Sequence, residues 1–388
     1  LQGNADDDTF TWMAGDGVDA QVEGGEGRDR VEIKTFTSIL ETATDPSGGL
    51  ISRFIESHGN DTVIVGPNAT NTDAVDVTIN TLNLNLQGME SLAIELGSGA
   101  DNLTVNDLSG TSLEEFDLSG GVTRSIAQTE IEAFTIDDNG DLVEFFEENP
   151  DTGVSERVID TFNYVEKTTD SDVDTITILG TTGADTYTLT AGAINDGEAL
   201  VPGVAPEGLT VPIIGIDQTK GDGSFLTFRL RELEQADDRL ILAAGAGNDS
   251  INATGISNTW LNDVRLLGQA GDDTIVGSRL AETIIGGTGA DTITGGAGVD
   301  RFSHAEYDLG EDGSIDTLIE TRNADFYVTD TVLHIGELNL DANGNPISLG
   351  AGETEILGDW FETIQINGGG DVNTFWVEDI NQRVELDG

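Results

Sequence analysis

Apolar and polar residues alternate with period two over many short runs of this chain, among them Thr175-Ile-Thr-Ile-Leu179, Val75-Asp-Val-Thr-Ile79 and Arg239-Leu-Ile-Leu242. Such alternation puts one set of side chains on a buried face and the other in solvent, so each run predicts a strand. No long stretch carries helical periodicity with caps at both ends. The chain therefore reads as nearly all β. Many of the intervening turns share a signature, Gly-x-Asp-x-apolar. It occurs at Gly27-Arg-Asp29-Arg-Val31, Gly59-Asn-Asp61-Thr-Val63, Gly99-Ala-Asp101-Asn-Leu103, Gly183-Ala-Asp185-Thr-Tyr187 and Gly247-Asn-Asp249-Ser-Ile251.

Between residues 268 and 303 the signature falls on a strict nine-residue grid. The units begin at Gly268, Gly277, Gly286 and Gly295. Their acids are Asp273, Glu282, Asp291 and Asp300, and their inward apolar residues are Ile275, Ile284, Ile293 and Phe302. Each part has a physical task. Glycines accept positive φ, so the backbone can turn tightly and aim its carbonyls inward. The acid adds a hard, charged oxygen. Calcium takes about 6–8 oxygen ligands, which carbonyls and carboxylates supply together.

Over residues 268–303 this pattern resembles the RTX, or haemolysin-type, calcium-binding repeat family. The resemblance implies a parallel β-roll in which two units make one turn, so that Asp273 stacks on Asp291 and Glu282 on Asp300. It implies several bound Ca2+ ions. Gly268, Gly271, Gly286, Gly287, Gly289, Gly295, Gly296 and Gly298 are then expected to shape a carbonyl cage, with Asp273, Glu282, Asp291 and Asp300 as carboxylates. The unit Gly277-Ser-Arg-Leu-Ala-Glu282 departs from the pattern: it lacks the inner glycine and carries Glu for Asp. The expectation of calcium therefore rests first on the turns at Asp273 and Asp291. At the isolated turns of Asp29, Asp61, Asp101, Asp185 and Asp249, a metal site and a plain turn are both open.

The simplest architecture for these features is a right-handed parallel β-solenoid, a β-helix with a nine-residue RTX β-roll section, carrying loop or hairpin insertions. The expected division is solenoid rungs with Gly-x-Asp turns over 1–66, solenoid strands over 67–130, an acidic insertion over 131–170, rungs over 171–267, the calcium β-roll over 268–303, a second acidic insertion over 304–360, and terminal rungs over 361–388. The two insertions hold runs with partial EF-hand spacing, Asp137-Asp-Asn-Gly-Asp141 and Asp308-Leu-Gly-Glu-Asp-Gly313. Leu142 takes the glycine slot of the first and Gly310 replaces an oxygen ligand in the second, so both read as acidic turns.

Charge sharpens this picture. With 16 Lys plus Arg against 73 Asp plus Glu, the formal charge is −57. Such a surface repels nucleic acid and anionic membranes and attracts divalent cations. Crowded carboxylates oppose folding until cations arrive, so folding is expected to be coupled to calcium. The chain holds no Cys, which excludes disulfides, thiol catalysis and cysteine zinc sites. Its histidines, His58, His304 and His334, form no His-Glu-x-x-His run, and no Gly-x-Ser-x-Gly elbow, Walker loop or dinucleotide fingerprint is present.

These features predict a non-catalytic, extracellular, calcium-binding structural protein: a surface stalk, matrix fibre or adhesin segment. The family resemblance implies bacterial type I secretion to the cell surface. Two alternatives remain open. One is a non-catalytic RTX module of a secreted hydrolase. The other is a β-helix polysaccharide lyase or epimerase using surface carboxylates. Written tail to head, Val384-Glu-Leu-Asp-Gly388 followed by Leu1-Gln-Gly-Asn-Ala-Asp-Asp-Asp-Thr-Phe10 resembles one more rung. That predicts either a segment of a longer repetitive protein or head-to-tail self-association into a filament. A cell-surface or polysaccharide partner fits this class, whereas nucleic acid and membrane insertion do not. The start at Leu1 suggests a mature or excised region.

Overall fold

Alternating side chains built into strands must bury one face, and here two large sheets do so against each other. The computed structural model describes residues 1–14, 16, 21–36, 38–44, 50–56, 59–120, 122–132, 134–136, 142–144, 146–148, 155–157, 159–169, 172–196, 209–233, 238–256, 261, 263–297, 300–302, 316–357, 361, 363–368, 373–378, 380 and 382–387. Among the described residues every regular element is a strand. One sheet has 13 strands and the other 14.

From residue 263 the chain alternates between the sheets. Asp263–Ala270, Glu282–Thr288 and Arg301–Phe302 lie in the 14-stranded sheet, and Thr274–Val276, Thr292–Thr294 and Thr317–Thr321 in the 13-stranded one. Residues 18 apart pair in parallel, Thr274 with Thr292 and Thr283 with Arg301. The inward positions form columns. Ile251, Ile275, Ile293 and Leu318 stack in one sheet, and Leu242, Leu266, Ile284 and Phe302 in the other. All eight are at most 3% exposed, so this thin layer is the core. Burying each such side chain contributes about 1.5–3 kcal/mol.

The sheets are mixed: hairpins join them alongside the parallel rungs. Thr62–Pro67, Ala74–Ile79 and Leu82–Gln87 run antiparallel to one another inside the 14-stranded sheet. Thr186–Asp196, Leu209–Thr219 and Phe225–Arg231 do the same in the 13-stranded sheet. The cause is local: a short turn such as the one at Asn80 returns the chain beside itself before it crosses over. Four further hairpins form sheets of their own. They include Ser38–Thr44 with Leu50–Glu56, and Val122–Glu132 with Ile159–Thr169.

The described residues 316–357 join the two large sheets. Thr317–Thr321 pairs in parallel with Thr292–Thr294 and Thr363–Asn367, while Asp325–Val328, Val332–Leu340 and Pro346–Ile356 join the other sheet. The glycine grid ends here, but period-two burial continues through Leu318 and Glu320. The runs 137–141 and 308–313 lie outside the described residues.

Candidate metal centre

Acids that precede the strands are stacked into columns. Each offers one carboxylate oxygen, Oδ1 of the aspartates or Oε2 of Glu90, to the backbone amide of the acid one rung earlier. The amide of Asp185 donates to Asp249 at 2.6 Å, that of Asp249 to Asp273 at 2.7 Å, that of Asp273 to Asp291 at 2.9 Å and that of Asp291 to Asp316 at 2.8 Å. A second column runs from Asp61 through Asp101 and Asp174 to Asp238, with distances of 2.6, 2.9 and 2.9 Å. A third links Asp8 to Asp29 and Asp29 to Glu90, both at 2.8 Å. In the fourth the Glu282 amide donates to Asp300 at 3.0 Å. One carboxylate oxygen per rung thereby closes a backbone donor that the turn leaves open.

The other oxygen decides the chemistry. Oδ2 of Asp29, Asp249, Asp273, Asp291 and Asp300 is buried with no hydrogen-bond partner. In four of these turns it lies against the glycine five residues earlier. A Cβ on Gly24, Gly268, Gly286 or Gly295 would run into the oxygen of Asp29, Asp273, Asp291 or Asp300. Carbonyls of one turn face the glycines of the next: Gln269 O meets Gly287, Gly271 O meets Gly289, Gly247 O meets Gly271 and Ser278 O meets Gly296. Gly287 has φ +113° and Gly271 φ +132°, conformations that L side chains rarely adopt. Carboxylate and carbonyl oxygens thus crowd the turns. Among the described residues no three His, Asp or Glu side chains close on one point. A cation here would be held by a carboxylate from each turn together with backbone carbonyls, a donor set that calcium accepts. Gly298 lies outside the described residues.

Burial dominates the electrostatics. Loss of solvent pushes Asp273 and Asp291 up to about 7 and Asp249 up to about 6, and neighbouring carboxylates add to each shift. An uncompensated carboxylate in such a place is unfavourable, and a bound divalent cation removes the penalty.

Two turns solve the problem without a cation. Thr181 stands at the second position of the unit Gly180-Thr-Thr-Gly-Ala-Asp185. Its amide donates to Asp185 Oδ2 at 2.6 Å and its hydroxyl to Oδ1 at 3.1 Å, and the Gly221 amide adds a bond to Oδ1 at 2.7 Å. Ser278 occupies the same position before Glu282. Its hydroxyl and its amide, the latter at 3.2 Å, hold the two oxygens of that carboxylate. A hydroxyl where most units have glycine therefore saturates the acid. Asp61 is only half-buried and also accepts a bond from Asn80 at 2.7 Å. Asp101 sits fully buried in the second column.

Several members escaped the sequence reading. Asp174, Asp238 and Asp316 extend the columns without a preceding Gly-x, so nothing local marked them. Gly24-Gly-Glu-Gly-Arg-Asp29 is a complete unit, legible only when its first glycine is counted. Glu320 and Glu355 carry no motif at all.

Against known families, the model of the RTX calcium-binding nonapeptide repeat, spanning 4 copies, matches residues 263–279 and 276–305. That segment carries RTX repeats, and RTX repeats bind calcium. No curated protein matches the chain. Among the described residues no helix is long and apolar enough to cross a membrane.

Proposed function

We propose that this chain is a calcium-stabilised, right-handed β-solenoid that works outside the cell as a structural or adhesive segment. The observation that carries the reading is the column of buried acids whose spare oxygen faces a glycine turn. Such a wall is poorly stable while its carboxylates repel one another, and becomes rigid when divalent cations fill the turns. Extracellular fluid supplies calcium freely, whereas cytosol does not, so folding would follow export. Circular dichroism with calcium and with a chelator tests this. Strand signal and thermal midpoint should both be higher with calcium than in chelator; equal signal and equal midpoint in both would defeat the reading.

A filament or stalk role draws support from the sheet edges. Thr9–Met13 and Arg383–Asp387 are the outermost strands of the 13-stranded sheet, and open edges pair readily with further strands. Those further strands would come from a longer parent chain or from a second copy. Electron microscopy in calcium should show elongated particles or fibres, and compact monomers alone would count against self-association. We read the chain as non-catalytic. Reproducible cleavage of alginate or pectin would favour the β-helix lyase alternative instead.

A further inference from the structure

The densest buried negative charge lies where the nine-residue grid stops. Asp300, Glu320 and Glu355 come from three separate segments, and each is fully buried. Asp300 and Glu355 belong to one column. Leu240 pairs with Val264 and Val264 with Glu282, Glu282 stacks on Asp300, and the Arg301–Ile356 pair places Glu355 next. An apolar column thus turns acidic over three consecutive rungs. Glu320 enters from the other sheet, where it follows Gly295 in register; its Oε1 accepts the Gly295 amide at 3.0 Å. A Cβ on Gly295 would meet Oδ2 of Asp300, the ring of Phe302 and Oε1 of Glu320, so both carboxylates lie beside this turn.

Asp300 Oδ2, Glu320 Oε2 and both oxygens of Glu355 are buried without a hydrogen-bond partner. Arg322 is the cation whose charge acts on all three acids, and half-buried Glu353 adds a further negative charge. When ionised, these four carboxylates against one guanidinium leave net negative charge that a divalent cation would offset, and an all-oxygen set selects a hard ion.

We propose that Asp300, Glu320 and Glu355 hold a divalent cation, calcium by their donor type, at the last glycine turn of the array, with Glu320 and Glu355 supplied from outside the repeat. The three carboxylates are not closed on one point, so binding would require the Glu320 and Glu355 side chains to move toward Asp300. Such an ion would staple the two sheets, since Glu320 lies in one and Asp300 and Glu355 in the other. It would fasten the end of the repeat array to the 316–356 segment.

Metal content of the full chain, dialysed against calcium and measured by mass spectrometry, tests the site. The double variant Glu320→Gln, Glu355→Gln should hold one calcium fewer than wild type. It should also melt higher than wild type in chelator, because the repelling charges are gone, and gain less from calcium. An unchanged calcium count in the folded variant overturns the proposal. Asp273→Asn with Asp291→Asn separates the two kinds of site: it should lose ions from the turns and keep this one. Should the Gln variant not fold, wild-type crystals soaked in terbium decide: an anomalous peak beside Glu355 is expected, and its absence overturns the site.

Discussion

The backbone amide of Asp273 donates to Oδ1 of Asp291 at 2.9 Å, while Oδ2 of Asp291 stays buried and unpartnered. One carboxylate therefore has two separable tasks. Asp291→Asn keeps an oxygen acceptor for the ladder and removes the charge. Asp291→Ala removes both. In chelator the Ala variant should be less stable than the Asn variant by about 1–3 kcal/mol, the cost of leaving the buried Asp273 amide without an acceptor. In calcium both should lose affinity alike. Denaturant melts and calcium titrations of the two variants measure this.

The hydroxyl-filled turns should ignore calcium. Asp185 and Asp249 occupy the same column, yet Asp185 is saturated by Thr181 and Gly221 whereas Asp249 keeps a free oxygen. Asp249→Asn should lower the number of bound calcium ions, and Asp185→Asn should leave it unchanged. Equilibrium dialysis compares them directly.

Acidity should act in opposite directions with and without calcium. Free aspartates titrate at about 3.9. Burial raises Asp273 and Asp291 to about 7 and Asp249 to about 6, so the folded chain binds these protons more tightly than the unfolded one. Their stabilisation is then full below about pH 4 and is lost as pH rises through about 6–7. In chelator, thermal midpoints should fall from pH 4 to pH 8. In calcium the charged form is the ligand, so protons compete with the ion and the gain from calcium should grow over the same range. A midpoint in chelator that rises with pH contradicts the burial of these acids.

Gly287→Ala should disrupt the array more than Gly344→Ala. Both glycines have positive φ, 113° and 88°, but a Cβ at 287 would strike the Gln269 backbone while the space at 344 is open. Backbone strain alone costs on the order of 1–3 kcal/mol, so Gly344→Ala stays within that range and Gly287→Ala exceeds it. Chemical denaturation in calcium compares the two.

What the sequence revealed and what it hid divide along range. The stacking of Asp273 on Asp291 was legible because unit length and turn length are both local properties. The spare oxygen at Asp29 was half legible, since its unit is complete but stands alone. Asp174 and Asp316 were invisible, because their place in a column depends on which strands pair, and inserted hairpins stretch the rungs to irregular lengths. Glu355 was read as part of an insertion. Only the register through Arg301 and Ile356 shows that it continues the column of Asp300. Saturation of Glu282 by Ser278 was not foreshadowed, because the glycine missing from that unit falls at Leu280, whereas the contact comes from the second position.

Calorimetric titration of calcium into chelator-stripped protein, for wild type and for Asp273→Asn with Asp291→Asn, tests the central claim most directly. Wild type should take up several ions with strand formation, and the variant should bind fewer and gain less structure. Identical isotherms for the two proteins would show that the glycine turns of the repeat are not where calcium is held.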